Sequence, residues 1–141
     1  MLGFTPLPRT LEAALRDAEH ERPDVRLASL SDLKRHARSG AAAALEALVR
    51  RLRSDPEPQV RAGAALAIAD VDARVQLPAL VEAAFDKESG VRQMALLAVG
   101  ELADPTHKEA CAAATRGLVD PVPAVRYQAV VALARLLDMG A

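Results

Sequence analysis

Beside 19 acidic residues, three histidines and one cysteine are the side chains in this 141-residue sequence best suited near neutral pH to ligate a soft metal or to act as general base or nucleophile. His20, His36 and His107 are scattered rather than paired at a ligand spacing, so no metal site is expected. Cys111 has no neighbouring base and lies in an Ala-rich stretch, where a thiol behaves as a small buried hydrophobe; alone, it can form no internal disulfide. The seven glycines are dispersed, so no phosphate-cradling loop is present. No catalytic residue and no cofactor are expected.

Arginine and aspartate are placed for a different chemistry, the charge-assisted hydrogen bond. Asp55 and Arg61, Asp86 and Arg92, and Asp120 and Arg126 share one pattern: Asp, four variable residues, then Val-Arg. An Asp before a helix offsets the helix dipole, and a multidentate guanidinium can hold two turns in register. A further copy, Val25-Arg26, has His20 where the Asp would stand, which leaves its role in such pairing doubtful. A second charged feature is regional. Residues 33–53 hold Lys34, Arg35, Arg38, Arg50, Arg51 and Arg53 against Glu46, a local net of +5, whereas residues 54–110 carry a net of −5. The basic segment could meet a phosphate backbone or an acidic surface, or it could be two solvated helix ends, where cations oppose the dipole.

The elements that must position these residues follow from the repeat. The four Val-Arg pairs are separated by 35, 31 and 34 residues, a period that implies stacked helical units, each too small to bury its apolar face alone. The composition agrees: 51% of residues are hydrophobic but only 2% aromatic, with Ala and Leu, both strong helix formers, supplying most apolar positions. Helical spacing predicts four pairs in one domain over 1–141. Units at about 8–38, 41–71, 75–103 and 106–138 hold helices at 8–20 and 23–38, 41–53 and 57–71, 75–85 and 89–103, and 106–119 and 122–138. Prolines and glycines fall at the breaks, and Pro6 and Pro8 suit an extended lead-in over about the first seven residues. Pro78 sits awkwardly inside its helix, which would rather begin at Leu77. Thr106 with Glu109 reads as a capping box.

The Asp-x-x-x-x-Val-Arg pattern is followed by Ala or Ser four residues after Val and by Ile, Val or Leu eight after. It resembles the HEAT-repeat family in its short bacterial form, also called PBS-lyase-like HEAT repeats. The resemblance covers almost the whole chain. It implies an all-α, right-handed α–α superhelix (solenoid) of about four HEAT-like helical hairpins, armadillo-like in build. It also implies a ladder of Asp–Arg hydrogen bonds linking neighbouring units, with Asp55, Asp86 and Asp120 engaging Arg61, Arg92 and Arg126. Iron-binding HEAT-repeat hydroxylases use several His-Glu pairs, and this chain has only His20-Glu21. HEAT-like DNA glycosylases rely on aromatic side chains, and there is no Trp here. A bilin-lyase-like activity remains open by resemblance, since chromophore attachment leaves no simple motif.

Advancing 100° per residue from each Val, positions four, seven, eight and eleven fall on the Val side and point into the stack. Positions two and six fall opposite, on the side that lines the concave surface in the family. There and beside it stand Leu27, Leu66, Gln93, Met94, Leu97, Tyr127, Gln128 and Val131. The stripe is more apolar than a solvated face should be, which points to a groove for an amphipathic helix or extended peptide, to a seam for self-association, or to packing among these side chains. The end of the chain, Leu136-Leu137-Asp138-Met139, is also apolar where a polar cap is expected.

A formal charge of −1 gives no global drive toward nucleic acid or an anionic membrane, and one Tyr with two Phe offers few stacking platforms. The first residues lack the features of a secretion signal, and no apolar run approaches the roughly 20 residues of a membrane span. The expected function is a non-catalytic protein-interaction scaffold or adaptor in a bacterial cytoplasm, its partner a protein helix or peptide. The alternative is a nucleic-acid-binding accessory module that uses residues 33–53.

Overall fold

The computed structural model describes residues 7–140, with side chains through Asp138. Every regular element among them is helical: α1 (Leu11–Ala18), α2 (Pro23–Arg38), α3 (Ala42–Ser54), α4 (Pro58–Asp70), a 3-10 turn (Arg74–Gln76), α5 (Leu77–Ala83), α6 (Ser89–Leu102), α7 (Lys108–Gly117) and α8 (Pro123–Gly140). Each odd-numbered helix packs on the even-numbered helix that follows it. The pairs stack so that α2, α4, α6 and α8 form one layer and α1, α3, α5 and α7 the other, which is the expected all-α solenoid.

The two layers differ in extent of packing. The second helices, which are the longer, pack on one another more extensively than the first helices do. Small side chains permit the approach: Ala64, Ala65, Ala95, Ala98, Ala129 and Ala132 are all fully buried. At Gly100 a side chain is excluded altogether, since an added Cβ would lie 2.9 Å from the Ala132 Cα across the α6–α8 interface. Leu33, Ile68 and Val99, eight residues after their Val, are fully buried, as are Val91 and Val125; Val25 is only half-buried.

Proline opens α2, α4 and α8, where its missing N–H costs nothing. Pro78 is second in α5, so that helix begins at Leu77 as its sequence demands, behind a 3-10 turn. Gly40 (φ +94) and Asp72 (φ +58) take the left-handed conformation that ends α2 and α4. α1, α5 and α7 are shorter than helical periodicity suggests, whereas α3 has the expected length. α1 starts at Leu11, capped by the Thr10 hydroxyl, which accepts from the Ala13 amide at 3.2 Å. The proposed capping box at Thr106 does not form. His107 is the residue that precedes α7, and the Thr106 amide and hydroxyl both donate to Asp104 instead. Asp104 wins because an Asx turn two residues long is more local than a three-residue reach into the helix. Residues 1–6 of the lead-in lie outside the described residues.

Candidate functional site

The Asp and Arg of the repeat meet across unit boundaries. Arg26 sends Nε to Asp55 Oδ2 at 2.9 Å and Nη2 to Oδ1 at 3.1 Å. Arg61 grips Asp86 in the same way (2.9 and 3.1 Å), and Arg92 grips Asp120 (2.7 and 3.0 Å). Each Arg thus reaches the Asp of the next unit, and the expectation that Arg61 would engage Asp55, Arg92 Asp86 and Arg126 Asp120 is off by one unit. Within its own unit the Arg binds only backbone. Nη1 donates to the carbonyl oxygen of the Asp six residues earlier, at 2.8 Å in Arg61, 2.9 Å in Arg92 and 2.8 Å in Arg126. That carbonyl needs no carboxylate, which is why Arg26 makes a full rung despite His20: its Nη1 takes the His20 and Glu21 carbonyls at 2.9 and 3.0 Å.

The same aspartates shape the turns. Oδ1 of Asp55, Asp86 and Asp120 accepts the amide two residues on, from Glu57, Glu88 and Val122, each at 2.9 Å. These Asx turns set the angle at which each second helix starts. Asp55 is the most heavily engaged, because Arg51 Nη1 also donates to it at 3.0 Å. Burial pushes its carboxyl up, but the Arg26 guanidinium, the Glu57 amide and the nearby Arg51 charge outweigh that and hold it below the usual carboxylate range. Asp86 is held low against burial by Arg61 and the Glu88 amide, and Asp120 is held low first of all by Arg92.

On the second-helix face, Tyr127 is 70% exposed, Leu27 41% and Leu66 39%. Gln93, Met94, Leu97 and Val131 are half-buried. Gln128 is buried, and so is no contact residue; at the same position of α4, Gly63 faces Leu30 of the preceding unit.

The basic segment does not form one free patch. Lys34 pairs with Asp70 at 3.4 Å, Arg38 donates to the Asp70 carbonyl, and Arg35 pairs with Asp32 at 2.8 Å. Arg50 and Arg53 pair with Glu19 and Glu82, while Arg51 is buried against Asp55 and Glu19. Lys34, Arg50 and Arg53 thus meet acidic groups from other units, which runs of sequence cannot reveal.

The histidines are held by backbone groups: His20 Nδ1 accepts from the Arg22 amide and His107 Nδ1 from the Asp104 amide, both local, while His36 Nε2 donates to the distant Arg9 carbonyl. Among the described residues no group of three His, Cys, Asp or Glu side chains could hold a metal ion. Cys111 is half-buried rather than buried. In the first-helix layer, an apolar hollow of about 430 Å³ opens among Leu77, Pro78, Val81 and Ala110, with Arg74 and His107 at its rim.

Sequence reasoning missed Arg9, which closes the first unit. Its amide and Nη1 donate to Asp32 at 3.0 and 2.9 Å, its Nε donates to Asp17 at 2.8 Å, and its carbonyl accepts from Arg35 and His36. Asp32, an acid at a core-facing position, was the available signal.

The family model described as HEAT repeats matches residues 7–98. Among solved structures, the chain is similar to a chain in the complex of CpcE and CpcF of phycocyanin lyase from Nostoc sp. PCC7120. The TM-score is 0.68 at 17% identity, over 98% of this chain and 69% of that one. No curated protein matches the chain in sequence. Among the described residues no helix is long and apolar enough to cross a membrane.

Proposed function

The chain belongs to the HEAT-repeat family, and from that premise we propose that it is a non-catalytic adaptor whose second-helix face takes a helix or extended peptide of a partner protein. The observation that carries this reading is the exposure of Leu27, Leu66 and Tyr127 on the second-helix layer, with Met94, Leu97 and Val131 half-buried beside them. An apolar stripe on a rigid support is the geometry by which an amphipathic segment is held, with Tyr127 as its principal contact.

The ion pairing of residues 33–53 favours a protein over a nucleic acid as partner, because a guanidinium already on a carboxylate releases little on meeting a phosphate. The similar solved structure, named as a complex of two proteins, is compatible with a protein partner. The backbone-engaged histidines support a non-catalytic role. A bacterial cytoplasm is the setting proposed, in keeping with the one half-buried cysteine.

The test is affinity capture by the purified chain from the cells that produce it, with Leu66→Glu/Leu97→Glu beside it. Loss of the captured protein with helicity unchanged by circular dichroism supports the reading. Capture that survives the double substitution ends it.

A further inference from the structure

The ladder has one rung more on the donor side than on the acceptor side. Arg126 holds the pose of Arg26, Arg61 and Arg92, its Nη1 clamped on the Asp120 and Pro121 carbonyls at 2.8 and 3.1 Å. Among the described residues, however, its Nε and Nη2 meet no carboxylate. The guanidinium edge that would bind one is exposed and already fixed in orientation.

The helix around it repeats the pattern. Five residues after the Val, the side chains of Leu30, Ala65 and Leu96 are buried against the next unit, whereas Val130 is 55% exposed. Nine after, Ala69 and Gly100 are buried, Lys34 is half-buried and Ala134 is open; twelve after, Ala103 is buried, Ala37 is half-buried, Asp72 is exposed and Leu137 is 73% exposed. In the turn, Phe85, itself 54% exposed, lies under Arg116 of the following unit at 5.9 Å, and its counterpart Val119 is 76% exposed. Arg126, Val130, Ala134 and Leu137 therefore form one stripe of α8 with the chemistry of an inter-unit surface.

We infer that this end of the array docks a helical hairpin of a second polypeptide that presents an aspartate or glutamate from its interhelical turn, the carboxylate closing on Arg126 and small apolar side chains covering Val130 and Leu137. A preorganised guanidinium fork selects a carboxylate, and a helix stripe of this spacing selects a helix. A second copy of this chain, stacked end on, does not supply the match. Its first unit has His20 where the carboxylate would be, and its outer face is closed by Arg9 on Asp17 and Asp32. Tail to tail, two copies would set Arg126 against Arg126. This surface is separate from the face bearing Leu27, Leu66 and Tyr127, so the adaptor reading can fail without it.

A chain in which residues 104–138 are repeated after Leu137 supplies such a hairpin, with its own copy of Asp120, as a fifth unit. The expected result is one cooperative urea transition, with Arg126→Gln lowering the folded-to-unfolded ratio of the five-unit chain at least about tenfold while barely moving the four-unit parent. A fifth unit whose amides stay unprotected, or an Arg126→Gln effect equal in both chains, overturns the inference. In the parent, sedimentation that shows a dimer broken by Val130→Glu also overturns it, in favour of a second copy. In the cells of origin, a photoreactive residue at Leu137 should cross-link, only when Arg126 is intact, to a segment with an acidic interhelical turn. A cross-link indifferent to Arg126→Gln, or none, counts against it.

Discussion

The Arg26 guanidinium closes on the Asp55 carboxylate across the boundary between the first two units, with Arg26 side-chain exposure of 6% and none at Asp55. Two parallel N–H···O bonds, a third from Arg51 and a fourth from the Glu57 amide satisfy both carboxylate oxygens in a dry setting. The pair is the most deeply buried of the polar links between these two units, the Glu19 and Asp70 contacts being more exposed.

Breaking this rung from one side strands a buried charge. Asp55→Ala is expected to cost about 3–5 kcal/mol, read from urea or thermal unfolding. Arg126→Ala, at an exposed position with only backbone acceptors, is expected to cost under about 1 kcal/mol. Equal losses at the two sites would mean that the rungs do not carry the coupling.

The ladder also sets the acid limb of stability. The carboxyls of Asp55, Asp86 and Asp120 are held below their unfolded range, so the unfolded chain binds protons more readily. Their contribution is complete above about pH 4–5 and is lost as pH falls through the depressed folded values. Unfolding free energy is expected to be flat from neutrality down to about pH 5 and then to drop. Asp55→Asn should flatten that drop while lowering the neutral plateau. A plateau lowered with an unchanged acid slope would assign the titration to other groups.

Two glycines of α6 should respond in opposite directions to alanine. At Gly90 an added Cβ meets nothing within 4 Å, so Gly90→Ala should stabilise by about 0.5–1 kcal/mol through lost freedom in the unfolded chain. At Gly100 the methyl would press on the Ala132 backbone, which cannot yield as a side-chain tip can, and Gly100→Ala should destabilise by about 1–3 kcal/mol. Thermal melts of the two variants check both signs.

The architecture was legible because period, punctuation and apolar spacing report the same units: Pro23, Pro58 and Pro123 mark helix starts, and Ala64, Ala95 and Ala129 mark the core side. The pairing register was not legible. The last three units carry the same Asp and Arg, so pairing Arg61 with Asp55 or with Asp86 satisfies the pattern equally, and only the backbone path past the turn decides. Gln128 was misplaced because a 100° step separates outward from inward too finely at position three. The ion pairs of residues 33–53 were hidden because their partners, Glu19, Asp70 and Glu82, come from other helices.

Adjacent residues of α8 separate binding from folding. Tyr127 is largely exposed on the second-helix face and makes no described hydrogen bond, so Tyr127→Ala should leave the urea midpoint within about 0.5 kcal/mol of the parent. If the face holds a partner segment, the same change should weaken capture about tenfold or more, as loss of a central aromatic contact does. Gln128 is buried, and Gln128→Glu should lower stability by about 1–3 kcal/mol by placing a charge there. Its effect on capture should follow only from the unfolded fraction. Measuring midpoint and capture for both variants separates the roles: a Tyr127→Ala chain that captures normally would move the binding site off this face, whatever Gln128→Glu does.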